Sequence, residues 1–142
     1  MNTLDEVCSR FREEGVRLTP VRKAVVSVFI ESGRPMGFAE IASRLEEIGL
    51  TPNKTTVYRE IDFLVSGGLV VELSLGGGRK CYEWASGHHH HLVCRSCHRI
   101  EELEAHEMEP AFEKFEKSLS RKSSFAELSH SLEFYGICNQ CR

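Results

Sequence analysis

The chain has 142 residues, of which 41% are hydrophobic and 27% charged, the make-up of a soluble globular protein of one domain or two small ones. No run approaches the roughly 20 apolar residues of a membrane span, and the opening MNTLDEVCSRF has neither the basic start nor the apolar core of an export signal, so a reducing cytoplasm is the expected setting. A formal net charge of −3 draws the chain to nucleic acid only through local clusters, since phosphates are met by a patch and not by a sum.

Residues 3–14 place Leu4, Val7, Cys8 and Phe11 at helical spacing and stop at Gly15, which predicts a short helix with a glycine end. A second is expected after Thr19-Pro20, where threonine can cap and proline suits the first turn, running through Val21, Ala24, Val25, Val28 and Phe29 to Gly33. Residues 38–48 put Phe38, Ile41, Leu45 and Ile48 on one face, and Thr51-Pro52-Asn53 opens a fourth helix from Lys54 to about Ser66, stopped by Gly67-Gly68. The period then changes: Leu69–Leu75 and Lys80–Trp84 are strand-like runs around Gly76-Gly77-Gly78, a hairpin with a flexible tip.

Helices followed by a β-hairpin is the order of a winged helix, in which the helix before the hairpin enters the major groove and the hairpin lies against the backbone. That helix would present Thr55, Thr56, Tyr58, Arg59 and Asp62 away from its apolar stripe; Arg59 can reach a guanine edge or a phosphate, and Tyr58 can stack on thymine methyls. Residues 1–84 carry 11 Lys and Arg against 12 Asp and Glu, but Arg10, Arg12, Arg17, Arg22 and Lys23 fall close together and are joined by Lys54 and Arg59. The pattern is equally compatible with a protein-binding or dimerisation module.

Ala85-Ser86-Gly87 forms a compact linker, dividing the chain into 1–84, 85–87 and 88–142. Beyond it His90–Cys94 and Ile100–Leu103 are expected as strands, Glu107–Arg121 as an amphipathic helix with Met108, Ala111, Phe112, Phe115 and Leu119 inward, and His130–Gly136 as a further strand. The expected class is therefore α+β, with a small α/β second domain. Fifty-odd residues make a thin core, for which a structural metal would compensate.

That half of the chain contains His88-His89-His90-His91-Leu92-Val93-Cys94-Arg95-Ser96-Cys97, answered by Cys138-Asn139-Gln140-Cys141. Two Cys-x-x-Cys pairs, each at a turn, can close a tetrahedral zinc site of four thiolates: Cys94, Cys97, Cys138 and Cys141. A single pair would suggest thiol redox chemistry; two make it the lesser reading. Cys8 and Cys81 read as small buried hydrophobes. If residues 88–91 are extended, His88 and His90 point one way and His89 and His91 the other, so the run can serve two sites as well as form a histidine-rich surface loop. Glu83, Glu101, Glu102, Glu109, His98, His106 and His130 are available as partners, and mixed nitrogen and oxygen ligation suits Fe(II), Mn(II) or Zn(II). A zinc hydrolase would leave the helical half unexplained, and no general base is placed beside an open metal position.

Gly15-Val16-Arg17-Leu18-Thr19-Pro20-x-Arg22, Thr55-Thr56-Val57-Tyr58-Arg59, the histidine run into Cys94-x-x-Cys97, and His130-Ser131-Leu132-Glu133-Phe134-Tyr135-Gly136-Ile137-Cys138-x-x-Cys141, together and in order, resemble the ferric uptake regulator superfamily of metal-responsive repressors. The resemblance spans nearly the whole chain. It implies a winged helix-turn-helix DNA-binding domain, a C-terminal dimerisation domain, and a homodimer that binds an AT-rich inverted repeat in double-stranded DNA when its sensor metal is bound. It also implies structural zinc on the four cysteines, a regulatory site of Glu83, His89, His91 and Glu102, and a third site of His88, His90, Glu109 and His130. Arg17 matches a basic residue that meets the minor groove, and Tyr58 and Arg59 match the recognition-helix pair.

One departure stands out. The superfamily usually takes a regulatory histidine from the loop before the third helix, and Arg34-Pro35-Met36-Gly37 has none. Cys81 is a softer substitute candidate, which tilts the sensed metal from iron towards zinc, with manganese and a peroxide-sensing iron site as alternatives.

Overall fold

The computed structural model describes residues 3–142; Met1 and Asn2, the start of the segment expected to carry no export signal, lie outside them. The chain divides after Ser86 into two compact units. Its class is α+β, and among the described residues no helix is long and apolar enough to cross a membrane.

The first unit holds α1 (Leu4–Glu13), α2 (Pro20–Ser32), α3 (Phe38–Glu47) and α4 (Lys54–Ser66), then the hairpin β1 (Val70–Leu75) and β2 (Arg79–Trp84). Three of the four helices start on a side-chain cap. Thr3 and Glu6 form a capping box on α1, Thr19 accepts from the Arg22 amide with Pro20 in the first turn of α2, and Asn53 accepts from the Thr56 amide at α4. Each cap satisfies an amide that the helix cannot and is worth about 1 kcal/mol.

The apolar faces of the four helices close on one core. Phe11, Val25, Phe29, Ile41, Leu45, Ile61 and Leu64 are essentially inaccessible, and Phe11 meets Phe63 edge to face at 5.7 Å. Val70, Tyr82 and Trp84 of the hairpin join the same cluster. Met36, in the loop before α3, exchanges both backbone hydrogen bonds with Tyr82 at 2.9 Å, so the hairpin gains a short third strand and is tied to the helices. Gly77 and Gly78 both take positive φ (83° and 73°) at the hairpin tip, a conformation that side chains with a Cβ resist.

In the second unit β3 (His90–Cys94) is the central strand, antiparallel to β4 (Ile100–Leu103) and parallel to β5 (Glu133–Gly136), with α5 (Glu109–Lys122) between β4 and β5 in sequence. Two expectations are corrected. The last strand is shorter than His130–Gly136, because His130 to Leu132 lie outside the regular strand. The amphipathic helix does not bury its apolar stripe: no residue of α5 is buried, and Met108, Phe115 and Leu119 are exposed. A three-stranded sheet is too narrow to cover two faces of a four-turn helix, so spacing alone identified the stripe without identifying what covers it. The sheet also leaves apolar surface open, with Leu92 and Phe134 side by side across the β3 and β5 register and both exposed.

Candidate metal centres and nucleic-acid interface

The turn between β3 and β4 carries the first Cys-x-x-Cys. The Cys94 amide donates to the Arg99 carbonyl at 2.9 Å and the His98 amide to the Cys94 carbonyl at 3.0 Å, folding Cys97 back over Cys94; His98 adopts φ 63° to do so. The second pair follows β5, where the Cys141 amide donates to the Cys138 carbonyl at 3.0 Å. Parallel pairing of β3 with β5 brings the two turns together. The four sulfurs, all free thiols, lie within 4.8 Å of one another, and Cys97 Sγ stands 3.7 Å from Cys138 Sγ.

A tetrahedron with Zn–S bonds of about 2.3 Å has an edge of about 3.8 Å, so the donor set fits zinc. Its electrostatics point the same way. Backbone amides of Cys138 and Cys97 lower the Cys94 thiol to about 6. Cys141, against the pull of the Ser96 hydroxyl, is pushed up to about 11 by the neighbouring thiols of Cys138 and Cys97 and by burial. Four adjacent thiols resist ionising together unless a cation shares their charge.

A second cluster joins the start of β3 to α5 and the segment before β5. His90 is buried (1% exposed), and its Nε2 meets Glu109 Oε1 at 2.8 Å. His88 Nε2 stands 3.2 Å from Glu109 Oε2 and 3.2 Å from His130 Nε2, and His130 Nε2 stands 3.6 Å from Glu109 Oε2. With Zn–N near 2.0 Å a tetrahedral edge is about 3.3 Å, and these spacings bracket it. The hydrogen bond to His90 holds the Glu109 carboxyl below its ordinary range against the effect of burial, with the charges of His88 and His130 adding to it. His130 Nδ1 meets Glu116 Oε1 at 2.8 Å, which fixes the ring so that Nε2 turns to the cluster. Glu116 was missed in the sequence, although it lies two helical turns after Glu109 on the same face of α5.

His89 and His91 face the other way, with ring centroids 4.9 Å apart. His89 Nδ1 lies 3.0 Å from the Gly87 carbonyl, leaving Nε2 as its outward nitrogen. Glu102 lies directly opposite His91 in the antiparallel register, so the two side chains share a sheet face, but Glu102 is exposed and in no ligand cluster of this unit among the described residues. Glu83 is buried on β2 of the first unit.

The loop lacking a histidine is committed elsewhere. Arg34 forks onto both carboxylate oxygens of Glu40, and Met36 is buried and paired to Tyr82. Cys81 is buried, and burial, with the carboxylates of Glu40 and Glu83 adding to it against the pull of Arg79, pushes its thiol up.

On the face expected to meet nucleic acid, α4 buries Val57, Glu60, Ile61 and Leu64 and turns Lys54, Thr55, Arg59 and Asp62 outward. The Thr56 hydroxyl donates to Asn53 Oδ1 at 2.9 Å, so it serves the helix cap. Tyr58 is half-buried and stacks on Phe38 at 4.2 Å, which fixes the direction of its hydroxyl end. Arg17 is exposed in the loop before α2, and its carbonyl accepts from Arg22 Nη1 at 2.8 Å.

The family model described as "Ferric uptake regulator family" matches residues 13–135. The ferric uptake regulation protein of Bacillus subtilis (strain 168) is 32% identical, covering 99% of this chain and 95% of its own length. The peroxide operon regulator of the same organism is 29% identical over 97% of this chain and 92% of its own. The fold superimposes on the Helicobacter pylori ferric uptake regulator, whose structure reveals three functional metal binding sites, with a TM-score of 0.79 at 25% identity over 99% of this chain and 94% of that one. The chain belongs to the ferric uptake regulator family and is a metal-responsive, DNA-binding transcriptional regulator, not an enzyme.

Proposed function

We propose that the chain acts in the cytoplasm as a homodimeric repressor that holds an AT-rich inverted repeat in promoter DNA while its sensor metal is bound. The observation that carries this is the convergence of two ligand sets in the second unit on tetrahedral spacings, beside a first unit whose recognition helix leaves its outer face open. The domains are 1–84 and 88–142, joined by 85–87.

Cys94, Cys97, Cys138 and Cys141 hold structural zinc. Glu83, His89, His91 and Glu102 hold the sensor metal, and His88, His90, Glu109 and His130 a third ion. The register of His91 against Glu102 supports the second set, and the short nitrogen and oxygen spacings support the third. Two imidazoles and two carboxylates suit zinc, iron or manganese alike, and a thiolate at Cys81, the candidate substitute for the histidine missing before α3, is what would tilt the site towards zinc. In the sensor site the metal supplies a cross-link, and its effect on DNA equals its differential affinity for the DNA-competent arrangement: an ion binding all arrangements equally would switch nothing. Arg17 meets the minor groove, and Thr55, Thr56, Tyr58 and Arg59 the major groove, with Thr56 contributing through the N-terminal turn it caps. The exposed Leu92, Phe134, Phe115 and Leu119 support burial of this unit against a second copy.

The test is fluorescence anisotropy of sensor-stripped protein on its own promoter DNA, titrated anaerobically with buffered Zn(II) and separately with Fe(II). Tight binding at far lower free zinc than iron identifies a zinc-uptake repressor, and activation at ordinary iron levels an iron regulator. Binding indifferent to every metal overturns the sensor mechanism.

A further inference from the structure

Each of the three guanidinium nitrogens of Arg22 donates a hydrogen bond. Nε donates to Glu60 Oε2 at 2.7 Å and Nη2 to Glu60 Oε1 at 3.3 Å, while Nη1 donates to the Arg17 carbonyl at 2.8 Å. The Arg22 Cζ lies over the Phe63 ring, 4.1 Å from the centroid. The Arg22 and Glu60 side chains are 17% and 11% exposed. Glu60 occupies the buried stripe of α4, between Val57 and Leu64, where periodicity calls for an apolar residue.

A buried ion pair is a poor way to gain stability, since two well-packed apolar side chains fill such a site at lower desolvation cost. It offers direction instead. Apolar contacts tolerate rotation of a helix by tens of degrees, whereas a two-point bond between a planar fork and a carboxylate does not. Glu60 directly follows Arg59, and one residue is about 100° of helix rotation, so fixing Glu60 inward fixes where Arg59 and Thr55 point outward. The third bond runs to the main chain of Arg17. Holding that carbonyl ties the loop before α2 to the same guanidinium that grips α4 through Glu60, and so sets the position of Arg17 relative to the outer face of α4.

We infer that Arg22 is a positioning residue for DNA binding, joining the Arg17 loop and the recognition helix through one guanidinium so that minor-groove and major-groove contacts keep a fixed separation. This rests on the DNA-contact reading of Arg17, Tyr58 and Arg59.

The experiment is a double-mutant cycle on the full-length, metal-loaded protein with its own promoter duplex, using whichever ion activates in the titration above. Arg17→Ala, Arg22→Lys and the double variant are compared by anisotropy, with thermal midpoints measured alongside. Lysine keeps the charge but not the fork. Arg22→Lys is expected to weaken DNA binding about tenfold, and Arg17→Ala, costly in the parent, is expected to cost less than twofold in the Arg22→Lys background, because an arginine no longer placed has little left to lose. Glu60→Gln, which keeps the shape of the partner, is expected to show the same non-additivity and covers the case in which Arg22→Lys does not fold. An undiminished Arg17→Ala effect in both backgrounds, with affinity losses that follow the thermal midpoint, overturns the inference and leaves a purely structural pair. Arg17→Ala and Arg59→Ala both silent in the parent would overturn the DNA-contact reading itself, and with it this one.

Discussion

Helices α2 and α4, of 13 residues each, bury five and four residues, whereas α5, of 14, buries none. The contrast extends to the whole of each unit. In the first, phenylalanines, branched aliphatics and Trp84 form one continuous core. In the second, the buried residues are Val93, Cys94, His90 and His91, so two of four are imidazoles, and His90 Nδ1 is buried without a hydrogen-bond partner. A set like that does not pay the entropy of ordering fifty-odd residues. The first unit is held by its own side chains; the second, on the function proposed above, depends on the metal its side chains would coordinate and on surface that a second copy would cover.

The largest expected effect tests that difference directly. Structural zinc contributes on the order of 10 kcal/mol or more to small domains built around it. Cys138→Ser, or exhaustive chelation, is therefore expected to abolish amide protection across β3 to β5 while α1 to α4 keep theirs. Hydrogen exchange resolved by residue reads both units at once; persistent protection of β3 after verified metal loss would show that the second unit has a sufficient core of its own. The converse perturbation is smaller and lands on the other side. Phe29, at 1% exposure among α2's buried residues, is expected to cost about 3 to 5 kcal/mol as alanine, lowering the urea midpoint of the first unit while four thiolates continue to retain one zinc per chain. Loss of zinc in Phe29→Ala would mean that the units do not stand independently.

The same contrast explains what the sequence made legible. The first unit follows from local rules: Thr19-Pro20 does start α2, Asn53 does cap α4, and the stripe through Ile41 and Leu45 is buried, because helix periodicity and a self-contained core agree with each other. In the second unit the two Cys-x-x-Cys pairs and the odd and even split of the histidines were readable from spacing, since ligand geometry is as local a constraint as a cap. Met108, Phe115 and Leu119 were not, because an apolar stripe records that something covers it and not which chain does. Glu60 and Glu116 escaped for a different reason. Each is a carboxylate whose role is fixed by a partner far along the chain, Arg22 or His130, and periodicity carries no information on such pairs.

Glu116 gives an intermediate effect that sharpens the comparison within the second unit. His130 is oriented by a carboxylate at Nδ1, while His90 has no partner at that position. Outer-shell partners of metal-bound imidazoles are worth about 10 to 100-fold in affinity. Glu116→Gln is thus expected to weaken the third site by that factor, measured by competition with a chromophoric chelator, and to leave the cysteine site's zinc in place. Equal weakening of both sites would mean that Glu116 supports the fold of the unit and not the His130 ring.

The smallest effect concerns how helices begin. Thr19 accepts from the Arg22 amide at 3.1 Å, whereas α5 starts at Met108 with no side-chain cap and a helical backbone there, φ −92° and ψ −22°. Thr19→Ala is expected to cost the first unit about 1 kcal/mol, visible as a shifted urea midpoint with unchanged slope. Met108→Asp is expected to gain less for α5 than that cap is worth, and to lose the gain at high salt, although aspartate is a strong capping residue, because capping requires extended backbone so that the side chain can reach the second or third amide. What remains is the attraction between a carboxylate and the helix N-terminus, about 0.3 to 1 kcal/mol at an exposed site in low salt and screened as salt is added. A full capping gain at Met108→Asp would show that the start of α5 is free to rearrange, which a helix held only from outside its own chain would permit and a helix seated on its own sheet would not.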